Sequence, residues 1–428
     1  MVRTEVGLKC ERCAEPVAEP LAARAVAYRR PILLGLAGLA VLAVVAVLLV
    51  LGPGGDDREA AAPLPPVGTW SKGPDLAAIR GTATAVVLDD GSALVAGGGV
   101  GAIPLDATEV LRPDAEAWET TGTLTQARRG HRAALLDDGR VVVAGGLAGS
   151  ELLATAEIYD PATGDWAPTG AMATPRLGHS LTSLADGRVL AIGGDSPEGT
   201  EAAAGGQTIR PTASTEIYDP ATGAWAPGPS MATARFEHTA TPLTDGRVLV
   251  TGGLGPVDGT VAPLASTEVY DPAANAFVSS TDLNEGRTNH ASVRLGDGSV
   301  LVAGGAGGAN GDLALASAEV FDPGRGTWTA VSSLASPRSG ETATLLDDGR
   351  VLVAGGEAVS RGTRRSLASA EVFDPSTRRW RSGGEMSCFR SEQDAARLGD
   401  GSVLVVAGDA TFPGKAPIAQ SCADRYRP

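Results

Sequence analysis

One spacing recurs along this chain and fixes what it can fold into. An aromatic residue (Trp70, Trp118, Trp166, Trp225, Phe277, Trp328 and Trp380) is followed ten residues later by an arginine: Arg80, Arg128, Arg176, Arg235, Arg287, Arg338 and Arg390. Seventeen residues after each arginine comes a Gly-Gly-like pair, opening at Gly97, Gly145, Gly193, Gly252, Gly304, Gly355 and, in weakened form, Ala407. Glu109, Glu157, Glu216, Glu268, Glu319 and Glu371 each stand nine residues before an aromatic, and Asp424 takes that place in the last copy. Only the interval from glycine pair to acid varies, from 12 to 23 residues. Self-similarity at a period of about 50 residues means one repeat architecture rather than several unrelated domains.

Each unit reads as four strands. Apolar-rich segments such as Ala133–Leu136, Ser292–Leu295 and Thr342–Leu346 run into Asp-Gly turns such as Asp138-Gly139 and Asp348-Gly349. A second apolar run, Val141–Ala144 or Val351–Ala354, ends at the glycine pair, which makes a β-hairpin. A third strand carries an EVYDP-like motif, Asp-Pro opens a turn, and a fourth strand carries the Trp. Four strands per unit and seven units predict an all-β, seven-bladed propeller over residues 67–428. The final stretch, Ala423 to Pro428, aligns with Ala370 to Pro375, so the last unit has a third strand and no Trp strand. Trp70 precedes any third strand. Pairing the Trp70 strand with the Tyr426 strand closes the ring.

Ahead of this lies a different kind of segment. Ile32 to Leu51 contains no charged or polar side chain, and a helix of that length crosses a hydrocarbon core of about 30 Å. Arg24, Arg29 and Arg30 precede it, and Asp56, Asp57 and Glu59 follow it. The positive-inside rule orients the N-terminus to the cytoplasm and the rest outside. The run is long for a signal peptide and Pro63 follows the small residues Ala60 to Ala62, so a retained anchor is expected rather than cleavage. The predicted organisation is a cytoplasmic tail (1–31), a single membrane span (32–51), a Pro/Gly linker (52–66) and the propeller. Cys10 and Cys13 form a CxxC in the tail, half of a zinc site, which leaves a degenerate ribbon, a metal shared between two chains, or an idle pair. No other cofactor is expected. Cys388 and Cys422 fall at one end of the last blade in an oxidising compartment, and a disulfide between them is expected. The net charge of −15 excludes a nucleic-acid partner.

The Gly pair, EVFDP, Trp and Met-Ala-Thr-Ala-Arg order, with an Arg-x-x-His start before a DGRVLV strand (Arg235 to Val250), resembles kelch repeats of the bacterial type and the propeller of galactose oxidase. The resemblance implies a β-propeller. It does not extend to the oxidase copper ligands: Tyr159, Tyr218 and Tyr270 sit in the repeated third strand and no Tyr-His pair exists.

A residue present in every blade is explained by what every blade needs. The seven arginines and seven acids read as repeated structural ion pairs, since charges in apolar sheets must be paired. The competing reading is a cationic ring at the axial mouth. Three residues after each arginine stand Ala83, His131, His179, His238, His290, Glu341 and Gln393. The histidines read as hydrogen-bonded scaffold, because adjacent blades hold them too far apart to share a metal. Ala83, Glu341 and Gln393 break that symmetry and are candidate ligand-binding positions. The variable interval supplies the others: Asp195, Glu198, Glu201 and Arg210 in the longest loop, and Arg361, Arg364 and Arg365 in a basic one. Loops on a rigid scaffold carry function, or are insertions tolerated in solvent. The expected role is recognition of an extracytoplasmic protein or glycan by the variable-loop face. The alternative is a sugar-isomerising or hydrolytic enzyme with its site at the axial mouth.

Overall fold

The computed structural model describes residues 66–197, 202–204, 207–360 and 363–428. The predicted tail with Cys10 and Cys13, the span 32–51 and the linker up to residue 65 lie outside the described residues, as do Glu198, Glu201 and Arg361. Among the described residues no helix is long and apolar enough to cross a membrane.

Seven antiparallel sheets form the blades, six of four strands and one of five. Blade one runs outward through Thr84–Val87, Ala93–Ala96, Thr108–Leu111 and Glu119–Thr120. The innermost strands of blades two to seven are Arg132–Leu135, Ser180–Ser183, Thr239–Pro242, Ala291–Arg294, Thr342–Leu345 and Asp394–Arg397. Two of these, Arg132–Leu135 and Ala291–Arg294, begin one residue earlier than the apolar pattern predicts, and Thr342–Leu345 begins where it predicts. Ring closure follows the predicted pairing: Thr69–Lys72 lies antiparallel to Ala423–Arg427, with Trp70 opposite Tyr426.

Strand composition follows from radial position. The second strands read ALVA, VVVA, VLAI, VLVT, VLVA, VLVA and VLVV, and every residue in them is buried. Both faces of such a strand are covered by neighbouring blades, so alternation gives way to a continuous apolar run. The outermost strands face solvent, and Pro168 and Pro227 blunt their edges against further pairing. The core is accordingly divided into seven apolar clusters, one per blade interface. At one of them Leu346, Leu352 and Val372 of blade six meet Val403, Val405 and Tyr426 of blade seven. The repeated aromatic stacks on its strand neighbour, as Trp380 does on Phe373 with centroids 5.0 Å apart. Its indole N–H reaches back to the preceding blade: Trp70 Nε1 donates to Gly383 O at 2.7 Å, and Trp380 Nε1 to Ser332 O at 2.7 Å. A disulfide joins Cys388 to Cys422 and clips down the approach to the closing strand.

The conserved spacing converges on one brace per blade. Arg235 Nη2 donates to Glu268 Oε1 at 2.9 Å, and its Nη1 donates to the carbonyls of Gly252 and Ser266 at 2.7 and 2.9 Å. The Glu268 carboxylate also accepts the backbone N–H groups of Ala232 and Thr233 at 2.7 and 3.1 Å. The arginine thus holds the end of the second strand while its acid caps the turn arriving from the previous blade. The same arginine–acid pair occurs in all seven blades, with every arginine fully buried. Charge-assisted bonds to a caged guanidinium make such burial tolerable.

Removing one partner leaves an uncompensated buried charge. Glu268→Ala is expected to destabilise the propeller by about 3–5 kcal/mol in denaturant titration. Asp138→Ala, which breaks the exposed pair with Arg140, is expected to cost no more than about 1 kcal/mol.

Candidate functional site

All variable loops emerge on one face, next to the axis. The residue after each brace arginine bridges to the residue that follows the glycine pair: Gly81 to Gly99, Arg129 to Leu147, Leu177 to Asp195, Phe236 to Leu254, Thr288 to Ala306, Ser339 to Glu357 and Ser391 to Asp409. The Asp-Gly and Asp-Pro turns therefore lie on the opposite face. Most loops fold as small hairpins of their own, such as Leu254–Val257 with Thr260–Pro263. In the longest, Ala202–Ala204 pairs with Gln207–Ile209, and the Asp195 carboxylate accepts the backbone N–H of Arg210 at 2.8 Å.

At the centre of this face opens an axial cavity of about 370 Å³. Its neck is a belt formed by the residue two after each arginine: Thr82, Gly130, Gly178, Glu237, Asn289, Gly340 and Glu392. All seven have positive φ, between 48° and 68°. This conformation lets consecutive blades bond through the backbone. Glu237 N donates to Gly178 O at 2.7 Å, Gly340 N to Asn289 O at 2.9 Å, and Glu392 N to Gly340 O at 3.0 Å. Left-handed backbone costs a side chain about 1–2 kcal/mol relative to glycine, so glutamate at two of these positions is locally disfavoured. Both glutamates line the cavity. Glu237 is held by Asn289 Nδ2 at 3.0 Å.

One residue further along stand the symmetry-breaking positions. His131, His238 and His290 each pair through Nε2 with a hydroxyl of the preceding blade, Thr84, Ser180 and Thr239, at 2.9 to 3.1 Å. The first glycine of each pair leaves room for this side chain: a Cβ on Gly97 would collide with the His131 ring. Burial pushes the imidazoles down, His290 to about 3, so they are neutral at pH 7. Gln393 donates to Ala354 O at 2.8 Å. Glu341 is different. Ala291 stands where Thr84, Ser180 and Thr239 offer a hydroxyl to the next blade, and neither carboxyl oxygen of Glu341 has a hydrogen-bond partner; His179, which follows Arg132 at that place, has none on its ring either. Burial pushes the Glu341 pKa up to about 8, opposed by the backbone N–H groups of Glu341 and Ala291 and by Arg338.

The cavity is electrically lopsided. Arg129 and Arg132 line it from blade two, whereas Glu237, Glu341, Glu392 and Asp394 line it from blades four, six and seven. Burial, together with repulsion from Glu392, raises Glu237 to about 7. Enclosure raises Glu392 and Asp394 as well, with Arg132 opposing the shift in each.

Of the positions singled out in the sequence, Ala83, Glu341 and Gln393 meet at this cavity. Arg364 and Arg365 lie outside it, on the strand Thr363–Asp374 that pairs with Glu357–Ser360: Arg364 pairs with Glu357 at 3.4 Å and Arg365 lies 5.3 Å over the Phe389 ring. The brace arginines and acids do not line the cavity. Sequence reasoning missed Arg129, Arg132, Glu237, Asn289, Glu392 and Asp394. The signal for two of them was present, as glutamate at a position that three blades fill with glycine.

The Kelch motif matches residues 128–172, 175–232 and 341–387. An F-box/kelch-repeat protein of Arabidopsis thaliana is 35% identical over 116 residues, 27% of this chain and 30% of that protein. Kelch-like protein 33 of Homo sapiens is 31% identical over 152 residues, 35% of this chain and 27% of that protein. The chain thus covers less than a third of the length of these relatives. Among solved structures, a fungal alcohol oxidase of the AA5 family in complex with copper superposes with a TM-score of 0.64 over 85% of this chain and 76% of its own, at 18% identity. That likeness concerns the fold. The chain is a seven-bladed propeller built on kelch motifs.

The raised Glu341 pKa has a measurable sign. An unfolded glutamate titrates near 4.5, and the folded carboxyl holds its proton up to about 8. Between these values the folded state binds the extra proton, so this group's contribution to stability falls as pH rises and levels off above 8. Glu341→Gln removes that loss. The thermal midpoint of the variant minus that of the wild type is expected to grow from pH 5 to pH 8 (about the window the two values set). A difference independent of pH would contradict the assignment.

Proposed function

We propose that the propeller is a recognition module that binds a protein partner across its variable-loop face, displayed outside the cytoplasm by the apolar segment 32–51. The observation that carries this reading is the distribution of exposed apolar side chains. Among the described residues eight large hydrophobics are exposed, and seven of them, Ile79, Val100, Ile103, Val257, Leu313, Phe389 and Ile418, lie on the loop face or on the connections that cross it. Only Val278 lies elsewhere, on an outermost strand. Scattered single hydrophobics are ordinary, whereas their concentration on one face marks an interaction surface.

The two faces differ in chemistry. The opposite face is edged by charged turns in which Asp138, Asp186, Asp245 and Asp348 pair with Arg140, Arg188, Arg247 and Arg350. On the loop face, blades six, seven and one place Phe389 against Phe412, Ile418 on the blade-seven hairpin and Val100 and Ile103 on the blade-one hairpin. Aliphatic side chains of this kind favour a protein surface over a glycan. The kelch motifs support the same reading, as does a scaffold that holds its loops on braced sheets. Placement outside the cytoplasm rests on the arginines before residue 32 and the acids after residue 51.

The reading is tested by photo-cross-linking in cells with the full chain. A cross-linking residue at Val100 or at Ile418 is expected to capture the same protein, and Ile103→Asp is expected to abolish that adduct while leaving the thermal midpoint unchanged. A cross-linker at Asp138 is expected to give no such adduct. Adducts formed from Asp138 and not from Val100 or Ile418 would overturn the proposal.

A further inference from the structure

We propose that the Cys388–Cys422 bridge is a thiol-exchange site: an external thiol enters at Cys388, Cys422 leaves toward Arg390, and opening the bridge uncouples Phe389 from the blade-seven loop. The starting point is the place of the two cysteines in the repeat. Cys422 stands two residues before the brace acid of its blade, where other blades carry Thr155, Ser214, Ser266, Ser317 and Ser369. Each of those hydroxyls accepts from Nη2 of its brace arginine. Cys422 Sγ accepts from Arg390 Nη2 in the same way, at 3.0 Å. Cys388 stands two residues before Arg390, the place of Gln126 in blade two and Glu285 in blade five. In those blades a hydrogen bond joins the two places, from Thr155 Oγ1 to Gln126 Oε1 at 2.6 Å and from Ser317 Oγ to Glu285 Oε2 at 2.7 Å. Blade seven puts a covalent bond where those blades have a hydrogen bond. A blade can therefore be built without the bridge, and a reduced Cys422 falls into the hydroxyl's place with its bond from Arg390 intact.

The two sulfurs are unequal. Cys388 is half-buried between the exposed Ser387 and Phe389, and its Sγ lies 3.7 Å from the Ser387 hydroxyl. Cys422 is buried and carries the guanidinium contact. The Asp424 carboxylate lies within 4.8 Å of both sulfurs and opposes negative charge on either. Its oxygens are themselves taken by Ser387 N at 2.9 Å and Arg390 Nη2 at 2.6 Å. Arg390 donates to Cys422 and not to Cys388, so it favours Cys422 as the leaving thiolate. The step balances with a dithiol, or two molecules of a monothiol, as reductant. One thiolate attacks Cys388 Sγ, the bond between the cysteines breaks, and its electron pair stays on Cys422. The second thiol attacks the mixed disulfide and releases Cys388. The reductant leaves as its own disulfide, and its two thiol protons are returned to the cysteines.

What the bridge couples is part of the loop face. Phe389 follows Cys388 and packs edge-on against Phe412, with centroids 6.0 Å apart. Cys422 ends the segment that carries Phe412 and Ile418. That segment is also tied to blade six by Ser366, whose N–H donates to Thr411 O at 3.0 Å and whose Oγ accepts Thr411 N at 2.8 Å. The effect of opening on partner binding rests on the loop-face reading; the exchange chemistry does not.

The test incubates the detergent-solubilised full chain with reduced glutathione, traps free thiols with iodoacetamide and maps the peptides by mass spectrometry. Glutathione is expected to open the bridge while the thermal transition stays cooperative. Its mixed disulfide is expected on Cys388 over Cys422 by about tenfold, the ratio that one charge-assisted hydrogen bond on the leaving sulfur supplies. Hydrogen exchange over residues 411–419 is expected to quicken on opening. Cys422→Ser, which restores the residue of four other blades, is expected to fold and to show the same faster exchange without reductant; reduction of the wild type reads the same quantity without the variant. A bridge that resists glutathione until the propeller melts, as structural disulfides do, would overturn the proposal. So would glutathione mainly on Cys422, or exchange over 411–419 unchanged by reduction. Regulation of the partner surface is read separately, as a lower yield of the Ile418 cross-link in Cys422→Ser than in the wild type. An undiminished yield would overturn that effect. Absence of any adduct in the wild type would overturn the loop-face reading and the regulation with it, and the exchange measurements would stand.

Discussion

The structure depends on a buried arginine–carboxylate brace repeated in every blade. An isolated pair of this kind contributes little net stability, because desolvation offsets most of the attraction. Its value here is geometric. The guanidinium takes one carbonyl just past the second strand and one just before the third, and the acid takes the N–H groups of the turn entering from the neighbouring blade. Hydrogen bonds to fixed atoms on three segments leave little freedom in how one sheet meets the next. The apolar interfaces supply the driving force for association, and the braces set its angle and register. A sequence that must satisfy these bonds in each blade can vary only where the brace does not reach, between the glycine pair and the acid.

The repeat was legible because each of its parts answers a local requirement. A glycine pair, an Asp-Gly turn and a continuous apolar strand can each be read from composition and spacing. Ring closure through Trp70 and Tyr426 was legible too, since the last unit lacked a strand that the first had to spare. Ala83, Glu341 and Gln393 were found as departures from a repeated histidine. Glu237 and Glu392 were not found, although they occupy an equally regular position. What hid them was backbone conformation. A belt of left-handed residues is invisible until φ is known, and glutamate in a column of mixed Gly, Thr and Asn looks like surface drift. Arg132 and Asp394 were missed for another reason. They start innermost strands, where an alternating strand gives no sign of which side chain faces the axis.

Scaffold and function therefore occupy different columns of the same repeat. The brace arginines invite a functional reading by their regularity, yet they are sealed inside the blades. The neighbouring positions, two to four residues later, carry the local conflicts: glutamates in left-handed backbone, a carboxyl without a partner, four acids around one cavity. Such conflicts persist where the surrounding structure over-determines them, and they are characteristic of sites kept for binding. Among the described residues, the loop face and its connections carry seven of the eight exposed large hydrophobics. Cavity and loops form one face, presented by a frame that does not depend on either.

A saturation substitution scan that reads folded abundance and partner retention in the same cells tests this separation most directly. The account predicts that changes at the brace arginines, their acids and the glycine pairs lower abundance. It predicts that changes at Val100, Ile103 and Ile418 spare abundance and lower retention. Retention-specific positions that mapped to the Asp-Gly turns of the opposite face, or to the braces themselves, would contradict it.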